Sequence, residues 1–360
     1  MTRSMPAGST YDAALDALAA ACDEVFLLPS ASRGVVLVGA TLRDPSRFGA
    51  GPEPLHAGGR GRSPEDARRG CLEELAERLI LRAAGPAAWA PAETRRTADD
   101  RISHSGADGQ GTAATATAMP CPIAPGGLGR ASACAADPDT ALQRARLELA
   151  ERRAVAAWWS GARCAPAPAG PAQAALAEVF PPGPFGRRRW LLDLSPGADG
   201  TVIAALSTTS GGRGLVGGFA AAHTPEAAAR RASEELCQME AAAAMAWQRR
   251  GPEGAGALAP ADRLWLARLE APCPDWLAPD DTGTALPAEP ASSGVVTRHL
   301  GLPGWPFHVV ALSGAGGPPG PGLDDTGAAI AARAPVTRAV HAPAGEAGAA
   351  TPLGTSRGRR

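Results

Sequence analysis

The chain has 360 residues and a formal net charge of −1, with 45% hydrophobic but only 4% aromatic residues. That length allows one large domain or two ordinary ones, and a charge so close to neutrality argues against a general nucleic-acid binder. All 35 basic residues are Arg and no Asn occurs, which excludes Schiff-base chemistry, a phosphate-binding P-loop lysine and N-glycosylation.

Taken in chain order, residues 1–26 read as an amphipathic helix. Asp12, Asp16 and Asp23 interrupt its apolar run, so it is not a signal peptide. No apolar stretch is long enough to span a bilayer; the expectation is a cytoplasmic protein without a membrane partner. Residues 35–38, VVLV, read as a strand. Residues 190–194 and 202–206 read as a hairpin around PGADG, and 295–300 with 307–312 as another around GLPGWP. Residues 93–112, 165–172, 279–294 and 314–322 have linker composition, and 343–360 that of a disordered tail. The seven cysteines are odd in number and include no C-x-x-C pair, so neither a disulfide framework nor a structural zinc site is expected. Cys71 and Cys237 fall on apolar helix positions, where cysteine acts as a small hydrophobe.

An internal repeat organises the chain. Three segments align without gaps on Pro64, Pro138 and Pro225. Ser63, Asp137 and Thr224 precede the prolines as N-caps, and an acid follows in each first turn. Counting from the proline, offset +3 is Ala67, Ala141 or Ala228. Offset +7 is Cys71, Ala145 or Ala232, and offset +11 is Leu75, Leu149 or Leu236. This spacing marks a buried helical stripe. Offset +10 is Glu74, Glu148 or Glu235; offset +13 is Glu77, Glu151 or Gln238. These two positions share one helix face. Arg78 and Arg152 follow in two copies, Met239 in the third. Short Gly/Ala-rich segments (56–62, 130–136 and 217–223) precede the helices, small enough to let backbone approach a partner or ligand. The unit is strand, cap, helix, and the expected fold is α+β with mixed sheets.

If the three faces converge, five glutamates and one glutamine meet around a cavity. Carboxylates crowded together repel and need cations. Hard oxygen ligands suit Mg2+, which usually arrives with nucleotide phosphate, and Arg60, Arg62, Arg78 and Arg152 could meet phosphate oxygens. A single E-x-x-E-R run is commonly a solvated helix face; three copies at identical offsets point to a shared site. His56 and His223 stand just before the first and third helices, where they could approach substrate, and Trp158-Trp159 reads as packing.

The runs GRGRSPEDARRGCLEELAERL, SACAADPDTALQRARLELAERRA and GGFAAAHTPEAAARRASEELCQM resemble, in order, the three signatures of the YcaO family. The resemblance extends over roughly 57–312. It implies an ATP-binding fold of repeated strand–helix units, in which glutamates hold Mg2+ and phosphates. The cofactors implied are ATP and Mg2+. The implied metal ligands are Glu74, Glu77, Glu148, Glu151 and Glu235. The implied nucleotide-site residues add Arg78, Arg152, Gln238, Arg60 and Arg62. The activity implied is ATP-dependent activation of peptide backbone amides, giving azolines or thioamides in the maturation of a ribosomally made peptide. The alternative is a non-catalytic scaffold or accessory factor in a modification complex. The partners implied are a precursor peptide and a separate peptide-binding or TfuA-like protein, with homodimerisation as a further possibility. The chain departs from the signatures at Gly70, where Ser is frequent, and at Arg153, where Asp is frequent. Its carboxyl end, TPLGTSRGRR, lacks the P-x-P-x-P of azoline-forming members. The expected organisation is an N-terminal helix and strand region (1–56), the ATP-binding domain (57–342) and a tail (343–360).

Overall fold

A computed structural model describes residues 10–89, 130–161, 165–168, 170–180, 186–195, 200–250, 260–274, 277, 279–280, 295–302 and 304–314. The expected 93–112 linker and the tail lie outside these residues, as do nearly all of 279–294 and 314–322. The first segment runs α1 (Tyr11–Ala21), β1 (Glu24–Leu28), β2 (Val36–Leu42), β3 (Leu55–Gly61) and α2 (Pro64–Ala84). Then come β4 (Arg130–Ala135), α3 (Pro138–Gly161), β5 (Ala165–Pro166) and α4 (Gly170–Val179). The remainder is β6 (Arg187–Asp193), β7 (Thr201–Thr209), β8 (Val216–Ala222), α5 (Pro225–Arg250), α6 (Pro260–Glu270), β9 (Pro279–Asp280), β10 (Val295–Leu300) and β11 (His308–Gly314).

The repeated helix openings form as their residues dictate. Ser63, Asp137 and Thr224 each accept a hydrogen bond from the backbone N–H three residues on, at 3.1, 2.8 and 3.2 Å. The apolar stripe is buried in all three helices: offsets +3, +7 and +11 are 0–4% exposed. Cys71 and Cys237 are buried within it.

The fold is α+β, and its three-stranded sheets are antiparallel rather than mixed; the parallel pair is β5–β9. Short turns between consecutive strands permit hairpins and leave no room for parallel crossovers. The sheets are β1-β2-β3, β10-β11-β4 and β6-β7-β8. Each ends in the strand that enters a repeat helix, so the repeating unit is three strands and a helix. In the first and third units the strands are consecutive. In the second, β4 takes its neighbours from the far end of the chain. Both expected hairpins form, with Leu192 opposite Ala204 and Leu300 opposite Val309.

Each sheet is covered on both faces by repeat helices. The first carries Val38 and Ala40 toward α2, while Leu37 joins the cluster of α4 and α5. The second turns Val310 and Ala133 toward α3, and Val309 and Cys134 toward α2. The third turns Ile203 and Ala205 toward α5, and Val202 and Ala204 toward Val155 and Trp158 of α3. Thus α2 lies on β4, α3 on β8 and α5 on β3. The units close into a ring with approximate threefold order, each helix wedged between its own sheet and the next.

Several expectations are corrected. The N-terminal helix stops at Ala21, because Val25, Phe26 and Leu27 pair with β2 as an edge strand. The boundary expected at residue 56 falls inside β3, whose sheet includes β1 and β2 from the segment assigned to a separate region. Residues 165–172, read as linker, hold β5 and the start of α4. The small residues before the helices meet the protein's own helices. A Cβ on Gly59 would lie 2.0 Å from Ala67 O, and one on Gly218 2.2 Å from Ala232 O. A buried ion triad fixes α5 to β6: Glu240 accepts from Arg189 at 2.9 and 2.7 Å, and Arg187 approaches at 3.3 Å.

Gly218→Ala should destabilise the protein by about 3 kcal/mol, since backbone on both sides blocks relaxation. Gly170→Ala, where a Cβ meets nothing within 4 Å, should cost nothing. Urea denaturation of the two variants checks the contrast.

Candidate functional site

The ring carries the residues at +10 and +13 to its centre, where they share donors. In the first two units Arg78 and Arg152, at +14, follow one pattern. Each donates to the carbonyl at offset −8, of His56 and Arg130 respectively, at 2.9 Å. Each also pairs with the glutamate one turn earlier, Arg78 with Glu74 and Arg152 with Glu148. The third unit has Met239 at this position. Arg60 of the neighbouring β3 supplies the charge, lying 3.2 Å from Glu235 and 3.3 Å from Gln238 Oε1.

In the first and third units the +13 side chain reaches offset −6 of the next unit. Glu77 accepts from Ser132 Oγ at 2.6 Å. Gln238 lies over Gly58, where a Cβ would stand 2.5 Å from its Nε2. The backbone N–H at −6 serves the unit's own +10 carboxylate: Ser132 donates to Glu148 at 3.2 Å, and Phe219 donates to Glu235. Ser132 therefore holds two glutamates from different helices. Sequence reasoning missed it, although past Arg130 it is the one hydroxyl residue among the small residues of β4.

Burial is the leading influence on these carboxyls. It raises Glu77 from 4.5 to about 8, with Glu148 the next contributor. It also raises Glu148, Glu151 and Glu235 against the opposing pull of Arg152 and Arg60. Yet Glu148 and Glu235 keep 26% and 29% of their side-chain surface open. Groups enclosed by protein but still reached by solvent line a recess.

Five carboxylates (Glu74, Glu77, Glu148, Glu151, Glu235) face three guanidiniums (Arg60, Arg78, Arg152), leaving two negative charges if all ionise. An all-oxygen donor set with that excess suits Mg2+ in chemistry. As placed, the side chains are held one by one. Among the described residues no group of three or more His, Cys, Asp or Glu is gathered to hold a metal ion. The arginines and Ser132 engage Glu74, Glu77, Glu148 and Glu235.

Other expected residues lie elsewhere. Arg62 stands apart from the recess; it follows the end of β3 and pairs with Glu178 of α4 at 3.0 Å, exposed. His56 Nδ1 is 3.2 Å from Thr41 Oγ1, and His223 is 3.1 Å from Gln143 Nε2. Trp158 and Trp159 pack edge to face at 5.5 Å.

The sequence profile of the family described as YcaO cyclodehydratase, ATP- and Mg2+-binding, matches residues 129–290. That match covers just under half of the chain. The matched span holds the helices of the second and third units, with Glu148, Glu151, Glu235 and Gln238; the first unit joins them through the fold. Over 83% of the chain, that fold superposes on 86% of the YcaO from Methanopyrus kandleri bound with AMPPCP and Mg2+ (TM-score 0.51, 18% identity). It also superposes, over 88% of the chain, on 54% of a heterocyclase in complex with substrate and cofactor (TM-score 0.53, 17% identity). The chain thus spans about half the length of that heterocyclase. No curated protein sequence matches it.

The raised carboxyls of the recess predict a pH dependence. A carboxyl that holds its proton more tightly when folded stabilises the fold below its unfolded range and loses that contribution as pH rises through the folded value. The ligand-free protein should therefore lose thermal stability between about pH 4.5 and 8. Glu77→Gln, with no proton to lose, should flatten the slope; calorimetry at several pH values reads it.

Proposed function

We propose that the protein uses ATP and Mg2+ to activate a backbone amide of a ribosomally made peptide. One observation carries this reading: five enclosed carboxylates and three arginines converge on a single recess in a chain whose residues 129–290 match the YcaO family model. Glu74, Glu77, Glu148, Glu151 and Glu235 would hold the metal. Arg60, Arg78 and Arg152 would then be released toward phosphate oxygens, and Gln238 would offer a neutral polar contact. Mg2+ and ATP, when bound, supply charge neutralisation and the transferable phosphoryl group.

The residues around them orient and shield. Arg78 and Arg152 each keep one guanidinium nitrogen on a strand carbonyl, which would leave the other nitrogen to turn from glutamate to phosphate. Ser132 keeps Glu77 and Glu148 in register. In the reaction, the amide oxygen takes the γ-phosphoryl group and ADP departs. A Cys, Ser or Thr side chain, or a sulfide donor, adds to the amide carbon and loses its proton. The carbon–oxygen bond then breaks as phosphate leaves; loss of the amide N–H proton gives the azoline, and loss of the remaining S–H proton gives the thioamide.

The precursor peptide and a separate peptide-binding or TfuA-like protein are the proposed partners, in the cytoplasm, and a homodimer is compatible with them. Among the described residues no helix is long and apolar enough to cross a membrane. A scaffold role is the second reading, favoured by Gly70 and Arg153 where the family signatures often have Ser and Asp.

Calorimetric titration should show ATP binding that requires Mg2+. Phosphate should be released when precursor peptide and partner are added. Glu74→Ala and Glu148→Ala should each abolish nucleotide binding while circular dichroism stays native. ATP binding without phosphate release in the assembled complex would favour the scaffold; no ATP binding at all would sink the enzymatic reading.

A further inference from the structure

The three junctions of the ring are built from equivalent positions, so their differences can be read directly. At the first-to-second junction, Glu73 at +9 meets Arg144 at +6 of the next unit, 3.0 Å apart. Tyr11 adds a hydrogen bond to the same carboxylate at 3.0 Å. At the second-to-third junction, Gln143 at +5 meets His223 at −2, 3.1 Å apart. Each of these seams is tied by a direct contact between units.

The third-to-first junction has neither tie. Its +9 residue is Glu234, but the +6 position opposite is Gly70. A Cβ there would fit without a clash, in ordinary van der Waals contact with Arg60 O at 3.9 Å. Its +5 and −2 residues are Arg230 and Arg62, two guanidiniums where the second seam has Gln143 and His223. Both reach outward to one carboxylate, Glu178 of α4, at 3.0 Å each. Arg230 Nε is buried without a hydrogen-bond partner. Glu234 feels Arg60, Arg230, Arg231 and Arg62 as its surrounding charges. With Arg60 paired to Glu235 at the edge of the recess, Arg62, Arg230 and Arg231 against Glu178 and Glu234 still leave this seam positive.

We propose that the seam between the third and first units is the port through which nucleoside triphosphate reaches the carboxylate recess. Arg62 and Arg230 capture its phosphates, and Glu178 is the carboxylate those phosphates displace. This rests on the nucleotide-binding reading above. The port solves a problem the recess creates. A tetra-anion approaching five carboxylates is repelled unless cations meet it first, and positive charge at a mouth raises the rate of anion capture. Glu178 keeps both arginines in place while no nucleotide is present. Gly70 leaves the gap that an inter-unit bridge would fill.

Stopped-flow fluorescence with mant-ATP and Mg2+ on the full chain tests the port. Arg62→Ala and Arg230→Ala should each slow association several-fold at low ionic strength and leave dissociation nearly unchanged, the difference shrinking at high salt. Glu178→Gln should speed association. Gly70→Arg, which places a cation opposite Glu234 as Arg144 stands opposite Glu73, should slow both association and dissociation. Gly70→Ala, adding only a methyl group, should slow them far less. Circular dichroism and a thermal melt establish that each variant is folded; replacing a mid-helix glycine should if anything stabilise α2. Unchanged association in Arg62→Ala, Arg230→Ala and Gly70→Arg, in a chain whose wild type binds mant-ATP, overturns the port and leaves the nucleotide site standing. So does slowed capture of a fluorescent precursor peptide with mant-ATP rates unaffected. A wild-type chain that binds no mant-ATP overturns the nucleotide reading and the port with it.

Discussion

Carboxylates enclosed at one place repel each other, and the ring is the arrangement that makes their enclosure tolerable. No single unit could satisfy its own acidic pair. Glu77 needs Ser132 from the second unit, and Glu235 needs Arg60 from the first. A donor taken from a neighbour fixes the neighbour's position, so satisfying the charges and closing the ring are one event. A buried acid without a partner would cost several kcal/mol; shared donors keep that penalty from accumulating unit by unit.

Close packing sets the depth at which these groups lie. The strands before the helices are nearly side-chain-free where helix backbone crosses them, at Gly59 and Gly218. The helices sink onto their sheets, and the polar offsets are carried inward with them. A larger residue at either crossing would lift the helix and move its glutamates away from their partners. The aromatic contacts Tyr11–Phe307, Trp305–Phe307 and Phe48–Trp305 fasten the turn before β11 to the first unit. In a chain poor in aromatics they concentrate where two distant parts of the sequence must hold together.

Much of this was legible in the residues. The offsets, the three caps and the buried stripe are local, and local patterns survive folding intact. The convergence of the acids could be anticipated because three identical helix faces have few reasons to match. What stayed hidden was non-local. Nothing near β4 announces that its neighbours are β10 and β11. Arg62 looks equivalent to Arg60 in GRGR, yet one residue past the strand end is enough to turn it outward onto Glu178. Glycines before the helices suggested room for a ligand; the occupant is the protein's own backbone. The start of α4 was read as linker because Ala- and Pro-rich composition resembles one until packing gives it a partner.

The second unit is completed by β10 and β11, which follow β4 in the chain only after the whole third unit. During synthesis, β4 and α3 leave the ribosome with one sheet face and two strand positions vacant. The first and third units can pair their own strands as they emerge, but the ring stays open until residue 314 is free. Nascent chains therefore pass through a stage with exposed strand edges, where pairing with the wrong neighbour is the hazard. The late hairpin acts as a keystone, and the recess becomes competent only when translation has gone past it.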